Sequence, residues 1–546
     1  MARGVAIPRR PRPRKGDTNM CRLCDEGKPQ DHTRLPDRSQ LGRRDFLKAS
    51  AATGAAAAGL SLFNSRPAKA DDDEEAPRDS GRRGRRYIIR GGHVMSMDPV
   101  VGNLVNADVL VEGKKIVAVG RNLRAGGAGE IDARGKIVMP GFIDTHHHLF
   151  ETAIRSFLTN GILLRDGTPD GDINYFEYIL LKFAPMYRPR DVYISELFGS
   201  LSQLDAGVTT VHDISQIHHS PRHSDAAIKG IKDSDRRAVF GYFEGAGFTH
   251  SDRYAYPHDA RRIKNDYFSS SDQLVTMIMG GEIYLPGFEE AWTIGRELGI
   301  PIAAHIVGAF GMRPTFDALA AGDKFGSDNL FIHVTEMSDA AWQKIRDAGA
   351  HLSLAVPIEM NMRHGMPPIL KALSLGIEPS LSTDVEVTLT ADMFTQMRAT
   401  MNLQRALVNQ RVLDSVPTTT NPFPPPPPGT PRLLRTQDVL RYATIEGARA
   451  LRLDDKVGSL TPGKEADIIL LDAEAINVAP LNNVPGAVVA LMERSNVETV
   501  IAAGKVRKWK GKLLDVDLRT LRRELEHSRD FLFHAAGIPQ DLFRSN

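Results

Sequence analysis

The sequence predicts an α/β protein: a closed (β/α)8 barrel of the TIM type, with a small β-sandwich assembled from both ends of the chain. Eight short apolar, β-prone runs alternate with helical stretches across residues 141–454, the pattern of a parallel barrel. Short alternating strands occupy residues 86–140, and a matching set returns over residues 455–515. No Gly-x-Gly-x-x-Gly turn follows any of the eight runs, which argues against an open, doubly wound sheet.

The chain does not open on its fold. Arg43-Arg44-Asp45-Phe46-Leu47-Lys48 stands before an uncharged Ala/Gly-rich stretch from Ala49 to Phe63, and Ala68-Lys69-Ala70 supplies a small-x-small cleavage site. That order is a twin-arginine export signal over residues 1–70. The apolar stretch is shorter than the ~20 residues a spanning helix needs. The acidic run Asp71-Asp72-Asp73-Glu74-Glu75 after it favours release over a retained membrane anchor. Met20 would open a more ordinary leader than Met1. The expected location is periplasmic or extracellular, with the Tat export machinery as a partner. Export in the folded state suits an enzyme that loads a metal in the cytoplasm.

Both cysteines, Cys21 and Cys24, lie in this leader, so the mature chain has neither disulfides nor thiolate ligands. Any metal must be held by His, Asp or Glu. The formal net charge is only +2, and much of the arginine excess sits in the leader and in Arg82-Arg83-Gly84-Arg85-Arg86. Residues 71–85 read as a solvated linker, and no basic patch in the folded part calls for a nucleic-acid partner.

The first sandwich segment holds Tyr87–Arg90, His93–Met97, Ala107–Glu112 and Lys115–Val119, separated by glycine-rich turns. The second holds Ala466–Asp472, Val497–Gly504 and Lys505–Trp509. The barrel runs are Gly141–Asp144, Val208–His212, Ala238–Phe243 and Leu274–Met279, then Pro301–His305, Leu330–His333, His351–Ala355 and Pro379–Asp384. Pro424 to Pro428 reads as a stiff spacer within a polar loop. Leu518, Leu521, Leu525 and Leu532 recur at helical spacing in the tail, residues 516–546, as a packing face that could also serve self-association.

Polar residues at the ends of these runs carry the chemistry. In Pro140-Gly-Phe-Ile-Asp-Thr-His-His-His148 a buried strand ends in three imidazoles; alternation puts His146 and His148 on one face and His147 on the other. His305 closes the fifth run, His333 the sixth and Asp384 the eighth. Barrel active sites sit at the C-terminal strand ends, so five ligand-type residues share one rim. The reading assigns His146, His148 and His305 as ligands, with Asp384 at the metal and beside a bound water. Zinc is the expected single divalent ion, with ferrous iron the alternative. The metal would lower the pKa of its water toward ~7; Asp384 would take the proton and His333 would align the hydroxide or stabilise an oxyanion.

These residues carry a family resemblance. From Tyr87 to Leu514 the chain resembles the amidohydrolase superfamily, in its cytosine deaminase and triazine chlorohydrolase branch. The matching motifs are the His146–His148 segment, Leu204-Asp-Ala-Gly-Val-Thr-Thr-Val211 and Ser382-Thr-Asp384. Ala443-Thr-Ile-Glu-Gly-Ala-Arg-Ala-Leu451 and Val457-Gly-Ser-Leu-Thr-Pro-Gly-Lys-Glu-Ala-Asp467 complete the set. The resemblance implies the split sandwich, the barrel and the metal roles above. It also implies a mononuclear site, because no lysine closes the fourth run. One departure stands out: deaminases of this branch read His-x-x-Glu on strand five, and here the sequence is His305-Ile-Val-Gly308. Glycine cannot move a proton. Glu359 or His364 after the seventh run could replace it, and His212 and Glu244 are candidate substrate contacts. His218, His219 and His223 read as pocket wall or surface.

The expected protein is therefore an exported hydrolase of a non-peptide C–N bond in a small, heterocyclic compound, using metal-bound hydroxide for deamination or for cyclic amide or carbamate hydrolysis. Heteroaromatic dehalogenation is the alternative enzyme reading. A secreted, metal-bearing binding protein is the non-catalytic one.

Overall fold

The computed structural model describes residues 75–77, 79–245, 256–416 and 424–543. The export signal and both cysteines lie outside them. Eight parallel strands follow one another in chain order: Phe142–His147, Val208–Ser215, Arg237–Tyr242, Val275–Gly280, Ile302–Val307, Asn329–Thr335, His351–Leu354 and Ser380–Leu381. Each contains the core of one predicted run. The ring closes where His147 bridges Asp384 in parallel register. Asp384 N–H donates to His146 O at 3.0 Å, and His148 N–H donates to Asp384 O at 2.9 Å.

The small domain is one curled nine-stranded sheet rather than two separate layers. The two ends of the chain meet where Lys136–Pro140 pairs antiparallel with Ile468–Asp472, from Ile468 opposite Pro140 to Asp472 opposite Lys136. Lys115 bridges Glu465 on the far side, so the sheet folds over a core that includes Val109, Val138, Leu470 and Ile501.

Three boundaries differ from the sequence expectation. Tyr87–Arg90 and His93–Met97 are parts of one strand, Arg86–Met95, whose register shifts around Gly92; Gly91, at φ +77°, supplies a left-handed kink without ending it. Lys136–Asp144 reads as one continuous apolar run in sequence but forms parts of two strands, broken after Pro140. Gly141 passes so close to Thr209 that a Cβ would lie 2.2 Å from its side chain, which lets the chain turn from sheet into barrel. A short strand, Gly129–Asp132, escaped notice because its sequence is polar; it pairs parallel to Arg86–Met95. The linker arginines are solvated as expected, but residues 79–85 also dock on the small domain. Val506 N–H donates to Ser80 Oγ at 3.0 Å and Gly113 N–H to Arg85 O at 2.8 Å.

The tail helix, Leu518–Ala535, lies on the helix Pro189–Asp205. Leu532 is buried, Phe533 packs on Phe157 and Phe183, and Ser528 Oγ donates to Asp191 Oδ1 at 2.7 Å. Leu532 and the partly buried Leu525 thus face the chain's own core, whereas Leu518 is exposed. No helix among the described residues is long and apolar enough to cross a membrane.

One buried ion cluster joins the two units. Arg237, on the third barrel strand, donates through Nε to Asp467 Oδ2 at 2.9 Å and through Nη2 to Glu465 Oε2 at 2.6 Å. All three side chains are buried. Removing the cation would leave two carboxylates in low dielectric, so Arg237→Ala should lower stability by about 3–5 kcal/mol, read as a shift in the urea midpoint.

Candidate metal centre and substrate cavity

Strand alternation delivers His146 and His148 to the same side, and barrel closure brings Asp384 against them. His146 Nε2 lies 3.1 Å from His148 Nε2 and 3.0 Å from His305 Nε2. Asp384 Oδ1 is 3.4 Å from His146 Nε2 and 3.7 Å from His148 Nε2. Burial, reinforced by neighbouring imidazoles, drives His146 and His148 well below the usual imidazole range, so both are neutral. Neutral nitrogens facing one another at such separations suit a cation between them. Ligand atoms on a tetrahedral zinc, bound at ~2.0–2.1 Å, would lie ~3.3 Å apart. The donor set of three imidazoles and one carboxylate therefore fits a divalent ion.

Two buried carboxylates aim the imidazoles from behind. His305 Nδ1–H donates to Glu282 Oε1 at 2.5 Å, which leaves Nε2 free for the centre. Burial opposes a charge on His305, yet Glu282 holds its value above the ordinary one. His333 Nδ1–H donates to Glu359 Oε1 at 3.1 Å, and the same oxygen accepts from Ala355 N–H at 2.9 Å. His333 Nε2 then stands 3.5 Å from Asp384 Oδ2. Burial pushes the Asp384 carboxyl up to about 7, against the pull of His305; a bound cation would draw it down. His333 and Asp384 adopt φ of +69° and +63°, backbone strain located at the rim.

A cavity, partly open to solvent, begins at this cluster. Its polar lining outside the cluster is Tyr175, Gln216, Tyr284 and His364; Phe310, Met312, Ile358 and Met362 form much of the rest. Tyr284 stacks on Phe310 with ring centroids 5.3 Å apart. Tyr175 Oη donates to Glu151 Oε1 at 2.6 Å, one short turn beyond His148.

The remaining predicted residues divide. His146, His148, His305, His333 and Asp384 come together, and His364 lines the cavity with its ring 4.7 Å from that of His333. Glu359 is not among the cavity-lining residues: it stands in the first turn of the short helix Val356–Asn361 after the seventh strand, behind His333. His212 is also off the cavity; its ring faces the barrel interior, and Nδ1–H donates to Thr145 O at 2.9 Å. Glu244, half-buried and outside the lining, is pushed up to about 7 by burial and by the charge of Glu282. His219 and His223 each give Nε2–H to a backbone carbonyl, of Ala184 and Tyr187, as wall histidines do. At Gly308 a Cβ would sit 2.5 Å from Glu336 Cβ, so the missing side chain has no room, and exposed Glu336 does not line the cavity either.

Sequence reasoning missed Glu282, Tyr175 and Glu151. Glu282 was within reach, because it follows the fourth apolar run as His305 closes the fifth. Tyr175 lies in a loop far from any strand end, and no local signal marks it.

A family model described as "Amidohydrolase family" matches residues 137–507. The chain belongs to the amidohydrolase family. A model of the twin-arginine translocation pathway signal sequence matches residues 40–59, which marks the protein for twin-arginine export. A 5'-deoxyadenosine deaminase from Methanosarcina acetivorans is 25% identical over 77% of this chain and 92% of its own. Among solved structures, an adenosine deaminase from Xanthomonas campestris with bound zinc aligns at TM-score 0.69 and 21% identity, covering 83% of this chain and all of the other. Atrazine chlorohydrolase from Arthrobacter aurescens TC1, complexed with zinc, aligns at TM-score 0.66 and 21% identity, over 81% of this chain and 100% of its own. This amidohydrolase is thus a metal-dependent enzyme of small molecules, with the fold those neighbours share.

Metal analysis should find about one divalent ion per mature chain and almost none in His305→Ala. Glu282→Gln should keep the fold and weaken metal affinity ~10–100-fold.

Proposed function

We propose that this amidohydrolase hydrolyses a C–N bond of an uncharged, ring-bearing small molecule, either an amino substituent on a heteroaromatic carbon or a cyclic amide or carbamate. The observation that carries this reading is the metal-ligand cluster opening on a largely apolar cavity, in which, among the described residues, Asp384 is the sole acidic one and no lysine or arginine lines the wall. An ionic substrate would leave its charge unpaired there, at a cost of several kcal/mol. Tyr284 and Phe310 offer flat faces to a ring.

His146, His148, His305 and Asp384 would hold the ion, most readily zinc. Bound there, a divalent ion supplies Lewis acidity, which makes water nucleophilic near neutral pH and polarises the electrophile. Asp384 accepts the proton of the attacking water. Glu359 fixes His333 with Nε2 toward Asp384, so this imidazole can share that proton and then donate Nε2–H to the developing oxyanion. Glu359 is therefore a positioning residue. Gln216 and His364 offer hydrogen bonds that orient the ring.

Dehalogenation is a second reading with its own support: Gly308 contributes no proton, and chloride departs without one. The deciding experiment assays the mature metalloprotein on amino- and chloro-s-triazines and on cyclic amides. C–N cleavage abolished by chelation, restored by zinc and reduced ~100- to 10,000-fold in Asp384→Asn supports the proposal. Turnover confined to chlorides selects the second reading, and a metal-replete protein inert on every compound overturns both in favour of a binding protein. Arg43→Lys with Arg44→Lys should leave the precursor uncleaved in the cytoplasm, seen by fractionation.

A further inference from the structure

In the barrel's ring order the second strand neighbours the first and the seventh neighbours the eighth. Residues just beyond those two strands therefore flank the seam where His146, His148 and Asp384 meet. Gln216 directly follows the second strand, Val208–Ser215, and His364 lies beyond the short helix after the seventh. Both line the cavity, and they are only 3% and 4% exposed.

Among the described lining residues, Gln216 alone carries a carboxamide. Its Oε1 is buried without a partner, and no group of the protein fixes which end of the carboxamide faces the cavity. Gln203, on the helix Pro189–Asp205, shows the alternative. Its Nε2 donates to Asp144 Oδ2 at 2.8 Å and its Oε1 accepts from Arg236 Nη1 at 3.2 Å. A buried carboxamide left unpaired is costly, and a bound molecule that pairs with it removes that cost.

A carboxamide presents an N–H donor and a C=O acceptor side by side. It pairs through two hydrogen bonds with a flat edge that carries the same two functions in the opposite order. The amidine edge of an amino-azine and the O=C–N–H edge of a cyclic amide both do so. The group under attack turns its heteroatoms to the metal, so the edge left for Gln216 belongs to a second such group on the ring.

We propose that Gln216 is a specificity residue that reads this second amidine or amide edge, which makes the substrate a ring bearing two such groups: a diamino-azine, a cyclic ureide or an imide. Stacking on Tyr284 and Phe310 accepts any flat ring; edge pairing at Gln216 chooses among them. His364, whose Nδ1 is also buried without a partner, offers one further bond from across the seam. A glutamine that merely filled the wall would treat rings with one such group and with two alike.

This inference rests on the hydrolase reading for its choice of ring compounds, and the test separates the two. The zinc-loaded mature protein is compared with Gln216→Met and Gln216→Glu on two matched pairs: diamino- against monoamino-s-triazine, and dihydrouracil against δ-valerolactam. Compounds that are turned over are ranked by kcat/KM, with KM and kcat reported separately, and those that are not by calorimetric Kd. Wild type should favour the two-group member of the pair it accepts by ~10- to 100-fold. Gln216→Met, close in shape but without either function, should erase most of that preference by weakening the two-group ring alone, chiefly in KM or Kd. Zinc content should be unchanged. Gln216→Glu, which keeps acceptor oxygens and loses the N–H donors, should also lower the preference, and it decides the matter if Gln216→Met does not fold. Turnover without preference, or a preference that survives both substitutions, would overturn the role of Gln216 and leave the hydrolase intact. Binding that depends on Gln216 with no turnover of any compound would overturn the hydrolase reading and leave the edge recognition standing. Wild type that neither binds nor turns over any of the four would overturn both.

Discussion

Barrel closure and metal-site assembly are one event in this protein. The first and last strands meet through His146, His147, His148 and Asp384, whose backbones exchange the closing hydrogen bonds while the side chains of three of them converge. Asp144 secures the same seam. It accepts from Thr383 N–H at 3.1 Å and from Gln203 Nε2 at 2.8 Å, and it also accepts the Thr383 hydroxyl. A barrel that failed to close would have no site. A cation bound there stabilises the closed ring, because it binds that state and not the open chain.

The ligand cluster is buried. His146, His148, His333 and Asp384 are all buried, which suppresses charge on the imidazoles and raises the carboxyl. Such a cluster would be unstable as bare ions, and neutral imidazoles with carboxylates behind them are the arrangement that remains. Glu282 and Glu359 each fix one tautomer, so the nitrogen facing the centre is decided one layer out. The strained backbones of His333 and Asp384 are held by the same packing.

Loss of a side chain at position 308 alters the proton economy more than the metal chemistry. The ligand cluster is complete without it, while crowding by Glu336 means that a glutamate could not simply be restored there. The described lining of the cavity is largely apolar.

How much of this was legible in the chain follows from where each signal resides. Period-two alternation and the rule that barrel chemistry sits at strand ends are local, so His146, His148, His305, His333 and Asp384 could be selected from sequence, together with the eight strands that carry them. The glycine at 308 and the split small domain were equally visible. What a side chain faces after the chain turns is not local. Glu359 reads like a cavity acid until its helix places it behind His333, and His212 like a substrate contact until its ring turns into the barrel interior. Tyr175 and Glu151 are 24 residues apart in sequence and meet only because the loop after the first strand folds back over the rim. Sequence by itself determined the ligand types, their order and the barrel. Only tertiary structure decided which acids stand behind imidazoles and which can reach a substrate, because that depends on contacts between segments distant in the chain.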